Sequence, residues 1–233
     1  MELSTLTQIK TKLKNDCDIF DDDFIDLTTE LLGLINAAID DAESIIHNLY
    51  EDYFLVTSTV SLVNGTQTYA LPSDIFANKI RNLFYDDGSN LQYVVWRIRR
   101  FEDTMFIDSG DRYRYVLTND STDGVRLRLY PTPAETNTNM KIWYIRNAKK
   151  LSAETDSCDI PEFINFIYAH VKWGIARKDK SQFDLATSEK ELAVQRQLMV
   201  DTLTDMVPDD GNEILMDSSF YRDFDLQNTN LTG

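Results

Sequence analysis

The sequence predicts an α+β fold: a helical bundle with an inserted, mostly antiparallel β-unit and an extended C-terminal arm. Three observations lead there. Apolar residues recur at steps of three and four towards both ends of the chain, the spacing of one helix face. Between those stretches the period falls to two, and Asn64-Gly65, Asp87-Gly88 and Asp123-Gly124 sit where alternating segments must turn back. Beyond Pro208 neither period continues. The expected boundaries are 1–54 for an N-terminal helical segment of the bundle, 55–150 for the β-rich insertion, 151–207 for the C-terminal helices completing the bundle, and 208–233 for a docking arm.

The first helix is announced by Thr5-x-x-Gln8, a capping box in which the hydroxyl and the amide side chain satisfy amides at the helix start. Leu6, Ile9 and Leu13 form its apolar face. Phe24, Leu27, Leu31, Leu34, Ala38, Ala42, Ile45 and Leu49 then share a face over a helix of about 30 residues, roughly 45 Å long. A helix of that length needs another to pack against.

The β-unit opens with "VTSTVSLV" and "TQTYAL" flanking Asn64-Gly65, which predicts a hairpin. Pro72 ends the second strand, because proline has no amide to donate to a ladder. "KIRNLFY" and "LQYVVW" flank Asp87-Gly88, "YRYVLTN" and "VRLRLY" flank Asp123-Gly124, and "MKIWYI" follows "PTPAETNT". Six or seven strands are expected. Helix resumes at Pro161, whose fixed φ suits a first helical position, with Glu162 favoured by the helix dipole. Phe163, Ile164, Ile167, Val171 and Ile175 make its apolar face. "DKSQF" breaks it, with Ser181 as cap of a last helix that carries Leu185, Leu192, Met199 and Met206 at intervals of seven and ends at Pro208.

Composition narrows the function. The net charge is −16, unevenly spread: residues 1–63 carry −10, residues 64–150 carry +3, and residues 151–233 carry −9. The middle is thus a mildly basic island between acidic flanks; the overall acidic chain repels DNA phosphates, which argues against a free-standing DNA binder but not against a protein that lets DNA slide past. No apolar run approaches the roughly 20 residues of a membrane span, and the N-terminus lacks the plan of a secretory signal. A soluble protein made in the cytosol is expected, with Cys17 and Cys158 as two reduced thiols.

Chemistry leaves few traces. There is no phosphate loop, dinucleotide fingerprint or nucleophile elbow. His47 and His170 both fall within helices as packing or surface residues. The acids Asp16, Asp18, Asp21, Asp22 and Asp23 lack the glycine and ligand spacing of a calcium loop, and serve better as charges at a helix start. Pairs such as Glu51 and Asp52 arise by chance among 39 acids. No catalytic residue, metal ligand or cofactor is therefore assigned. The informative cluster is basic: Arg97, Arg99 and Arg100 in "WRIRRF", Arg112 and Arg114 in "RYRY", and Arg126 and Arg128 in "RLRL". Arg126 and Arg128 must share one strand face. Arginine interleaved with aromatics suits nucleic acid, or pairs with the acidic flanks of its own or a neighbouring subunit. The last stretch keeps Ile214, Leu215, Met216, Phe220, Tyr221, Phe224 and Leu226 among its acids, which suggests an arm that docks on a partner. A purely solvating tail is the alternative.

The order of these parts resembles a known family. "NGTQTYALPSD" with Tyr69-x-Leu71-Pro72-x-Asp74, then Leu129-Tyr130-Pro131-x-Pro133 in "LRLYPTPAETN" before "MKIWYI", then "DIPEFINFIYAHVKWGIARK" with Trp173 and Ala176, are similar to the head-to-tail adaptor (connector) proteins of tailed bacteriophages, most like those of short-tailed phages. The resemblance runs over roughly residues 20–205. It implies a structural virion protein in the neck, made in the host cytoplasm. A ring of copies, usually twelve, would sit beneath the portal protein, with a tail or nozzle protein below and double-stranded DNA passing without specific binding. It also implies that the extension from Pro208 to Gly233 reaches the portal, and no membrane partner. Two rival readings are a tail-associated cell-wall hydrolase and a nucleic-acid-binding module that uses the basic strands.

Overall fold

A computed structural model describes residues 3–19, 25–26, 28–86, 92–122, 124–178 and 185–207. Its helices are α1 (Leu6–Asp16), α2 (Glu30–Leu49), α3 (Ile164–Lys178) and α4 (Leu185–Met206). Between α2 and α3 run eight strands: β1 (Leu55–Leu62), β2 (Thr68–Ala70), β3 (Ile75–Asp86), β4 (Gln92–Val94), β5 (Trp96–Arg97), β6 (Arg114–Asp120), β7 (Gly124–Tyr130) and β8 (Asn137–Arg146). They form two four-stranded sheets, ordered β1-β8-β3-β4 and β2-β7-β6-β5. Every pairing is antiparallel except β5 with β6. The chain is thus mixed α+β.

The helices follow from local chemistry. At α1 both halves of the capping box form: the Gln8 amide donates to Thr5 Oγ1 at 3.3 Å and the Thr5 amide to Gln8 Oε1 at 2.8 Å. Leu6, Ile9 and Leu13 are fully buried. Helix α2 is shorter than expected, 20 residues rather than about 30. The Asp26 carboxylate accepts from the Thr28 amide and from both the amide and hydroxyl of Thr29. That closes a turn from which the helix starts at Glu30. Phe24 and Leu27 lie outside the described residues, as does the expected Ser181 cap of α4.

Helix α3 packs against α1, α2 and α4. It lies close to α2 at Gly174, where an added Cβ would stand 3.0 Å from Leu34 Cδ2. The helical core contains Leu31, Ile35, Ile39, Phe166, Ile167, Val171, Met199 and Leu203, joined by Phe54 and Ile145 from the β-unit side.

The sheets pack face to face. Val60, Leu62, Leu83, Met140 and Ile142 of the first sheet meet Tyr69, Tyr115, Leu127 and Leu129 of the second in a separate core. Two of the three expected hairpins form: β3 with β4, and β6 with β7. The third does not. Gly65 takes the positive φ of +76° that its turn requires, yet β1 pairs with β8 and β2 with β7. The Asn64-Gly65 turn therefore carries the chain from one sheet to the other. A turn sets local direction, but burial over the strand length chooses the partner, and β8 offers β1 a far longer ladder than the three residues of β2. The "LQYVVW" segment crosses in the same way, as β4 in one sheet and β5 in the other. That crossing raises the strand number to eight.

Two of the three stretches that carry the family resemblance meet here. The Gly65 amide donates to the Pro133 carbonyl at 2.9 Å and the Asn64 amide to Thr136 Oγ1 at 3.1 Å. Tyr69 donates its hydroxyl to the Thr66 carbonyl at 2.7 Å and bolts the turn shut. Asp74, beyond Pro72, accepts from the Tyr144 hydroxyl at 2.9 Å. The motif residues thus hold the two sheets together.

Candidate functional site

Arg126 and Arg128 alternate with the buried Leu127 and Leu129, so both point away from the sandwich core. Strand register brings Arg114 of β6 opposite Tyr130, Val116 opposite Arg128, and Trp96 of β5 opposite Arg114. One outer face thus gathers Arg114, Arg126, Arg128, Tyr130 and Trp96. The Arg128 guanidinium donates to Gln67 Oε1 at 3.0 Å and lies 5.3 Å over the Tyr130 ring. Stacking of this kind holds the fork in a fixed orientation.

The remaining predicted arginines surround that face. Arg112 lies 5.2 Å over Tyr93. Arg97 pairs in register with Tyr115 on the edge strand. Burial raises the Tyr115 pKa and the charge of Arg97 opposes it. Arg99 and Arg100 are exposed and lead into a 3-10 turn at Phe101–Phe106. That turn and strand β5 before it carry what arginine spacing alone does not reveal: Trp96, Phe101, Met105 and Phe106 are 70%, 56%, 84% and 81% exposed. Large apolar side chains this exposed, close together along the chain, have the character of a contact surface. The only signal in the sequence is that "RRFEDTMF" sets Phe101, Met105 and Phe106 among charged residues and follows neither period.

The acidic flanks are reached by other cations. Lys79 and Arg81 of β3 both pair with Glu51, Arg81 also with Asp52 at 2.8 Å. Arg146 pairs with Asp159 at 2.5 Å, Lys149 with Asp156 at 3.0 Å, and Lys150 with Asp40. These pairs tie the β-unit to the helical part and its connector. Burial alone would raise the Glu51 pKa, but the Lys79 hydrogen bond and the Arg81 charge bring it below its ordinary value. Among the described residues Arg97, Arg99, Arg100, Arg112, Arg114 and Arg128 form no ion pair.

The other candidate chemistry is engaged in packing. His47 stacks on Phe76 at 3.7 Å with Nε2 3.4 Å from Glu43 Oε1. His170 Nε2 lies 3.9 Å from the Asp41 carboxylate. Asp16 pairs with Lys172 at 3.2 Å. Among the described residues no group of three His, Cys, Asp or Glu side chains is placed to hold a metal. Ile214, Leu215, Met216, Phe220, Tyr221, Phe224 and Leu226 lie outside the described residues.

Comparison with known proteins gives the family. A family model described as "SU10 adaptor protein" matches residues 4–217. The chain belongs to this family of phage head-to-tail adaptors. The match spans the helices and both sheets alike. No curated protein sequence matches the adaptor chain. Among solved structures, a chain described as "Neck of empty GTA particle computed with C6 symmetry" is 13% identical, with 84% of this chain and 95% of that one covered at a TM-score of 0.25. So low a score carries no argument.

Proposed function

We propose that this chain is a structural virion protein that forms a ring of copies, twelve as the family resemblance implies, beneath the portal and joins the capsid to the tail. The helices form the body around the channel, and acidic walls let DNA pass without adhering. Residues 208–233 clamp the portal, with Phe220, Tyr221 and Phe224 as the aromatic anchors that interface hot spots favour. The tail or nozzle protein binds below. The observation that carries this reading is family membership over residues 4–217. The open arginine and aromatic face adds support, since it has the composition of a protein contact.

Sedimentation of the purified chain, alone and with the portal of the same phage, tests it. The expected result is a ring on the portal with the full chain and none after truncation at Val207. A full chain that ignores the portal would remove the adaptor role. Portal binding that survives truncation would remove only the clamp.

A nucleic-acid-binding role draws on the same face, where Trp96 and Tyr130 flank three arginines. It predicts steeply salt-dependent DNA binding by the full chain, abolished by Arg126→Glu with Arg128→Glu. For the cell-wall hydrolase no observation speaks: Glu51 and Asp52 are held in ion pairs with Lys79 and Arg81.

A further inference from the structure

Two surfaces of this chain are complementary to each other. One is the edge described above, with exposed Trp96, Phe101, Met105 and Phe106 beside a rim of Arg97, Arg99, Arg100 and Arg114, and with Glu102 and Asp103 exposed in the same turn. The other lies on α4. The buried side of that helix holds Met199 and Leu203. Along the flank of the helix Glu191, Val194, Leu198, Asp201 and Asp205 follow one another at steps of three and four, all five exposed, with Glu191 reaching Lys172 of α3 at 3.8 Å. Val194 and Leu198 are 57% and 53% exposed, one turn apart, so the stripe is apolar at its centre and acidic at the Asp201 and Asp205 end. Leu198 also forms one wall of a groove between α3 and α4, shared with Phe163, Phe166 and Thr202. A projecting ring such as Phe106 fits that concavity in kind.

We infer that neighbouring copies meet head to tail. The arginine and aromatic edge of one sits on the outward stripe of α4 of the next. This deepens the ring reading and rests on it. Charge complementarity identifies the occupant: a chain of net charge −16 repels its copies unless basic and acidic patches are matched. The apolar centres supply the buried area and the flanking charges set the register. Two different patches used in one contact leave a free patch at each end, so the contact repeats, and it closes into a ring when its rotation divides a full turn. A patch that paired with itself would stop at a dimer.

The test mixes equal amounts of a Phe106→Cys chain and a Leu198→Cys chain, assembles them on the portal and adds a short bismaleimide. The native thiols, Cys17 and Cys158, are buried and do not compete. The expected product is a covalent dimer from the mixture, and none from either chain alone. Asp201→Arg with Asp205→Arg in the Leu198→Cys chain lowers the dimer yield by about tenfold, because cations then face cations. Adding Arg99→Asp and Arg114→Asp to the Phe106→Cys chain restores it. Rings on the portal without the mixed dimer would overturn the inference and leave the adaptor reading intact. So would a yield indifferent to the charge reversals. If Phe106→Asp rings assemble normally but fail to take the tail, the edge belongs to the tail partner and the inference is wrong. If the unmodified chain never binds the portal, the adaptor reading fails first, and this one with it.

Discussion

Replacing Asn36 by alanine tests how the connector between sheet and helix is held. Asn36, in the middle of α2, donates from Nδ2 to the Leu151 carbonyl at 2.9 Å and accepts from the Leu151 amide at 3.0 Å. Leu151 itself is buried in the helical core. Alanine removes both bonds and leaves a backbone N–H and C=O with no partner, at about 1–3 kcal/mol each; for a partly buried site the sum is about 2–4 kcal/mol. The better helix propensity of alanine returns about 0.6 kcal/mol. A net loss of about 1.5–3.5 kcal/mol remains, and at a urea slope of about 3 kcal/mol/M it lowers the midpoint by about 0.5–1 M. Far-UV circular dichroism of the helices reads it. Asn36→Asp sharpens the test, since it still accepts from the Leu151 amide but sets a carboxylate against the carbonyl, and is expected to lose at least as much. A midpoint within about 0.2 M of the parent for either variant would mean that the connector is held by packing alone.

Three further outcomes are expected. Leu127→Ala removes a fully buried side chain at the centre of the sandwich and costs about 2–5 kcal/mol in urea unfolding. Burial holds His47 below its ordinary value of 6.5, aided by Lys79 and opposed by Glu43 and Glu51. It does the same to His170, aided by Arg196 and opposed by Asp41. Both resist protonation more when folded than when unfolded, so their contribution to stability is full above pH 6.5, falls as pH drops below it, and levels off once pH passes the lowered folded values. Thermal melts of a His47→Gln, His170→Gln chain should lose that slope. The Glu51 and Glu154 contributions vanish only at lower pH, because both are held below 4.5. Finally, burial pushes both the Cys17 and Cys158 thiols up to about 11. Iodoacetamide at pH 8 should therefore leave the native chain unmodified and label two sites in urea, as mass spectrometry would read.

Local signals were legible where local chemistry decides. The Thr5 and Gln8 cap, the turn before Gly124, and the proline at the start of the Pro161 turn all depend on residues within four positions of each other. The start of α2 was misplaced because an apolar period continues through Asp26, while the turn is made by one carboxylate and two threonines. The Asn64-Gly65 hairpin failed for a different reason: the sequence announces the turn, but the competing β8 lies more than 70 residues away. The site divided in the same way. Alternation placed Arg126 and Arg128 on one face, and register then added Arg114 and Trp96. The partners of Lys79 and Arg81 at Glu51 and Asp52, and the openness of Phe101 to Phe106, arise only from tertiary placement and leave no periodic trace.

Strand β8 belongs to both halves of the molecule. Met140, Ile142 and Tyr144 sit in the sandwich core, while Ile145 on the other face sits in the helical core. Ladders to β1 and β3 flank it on both edges. A pull on the Asn137 end therefore travels along the strand into the helices, and both ladders resist it together in shear, instead of opening one rung after another. The joint acts as a coupling rod under tension, carrying load from one core to the other along a single strand.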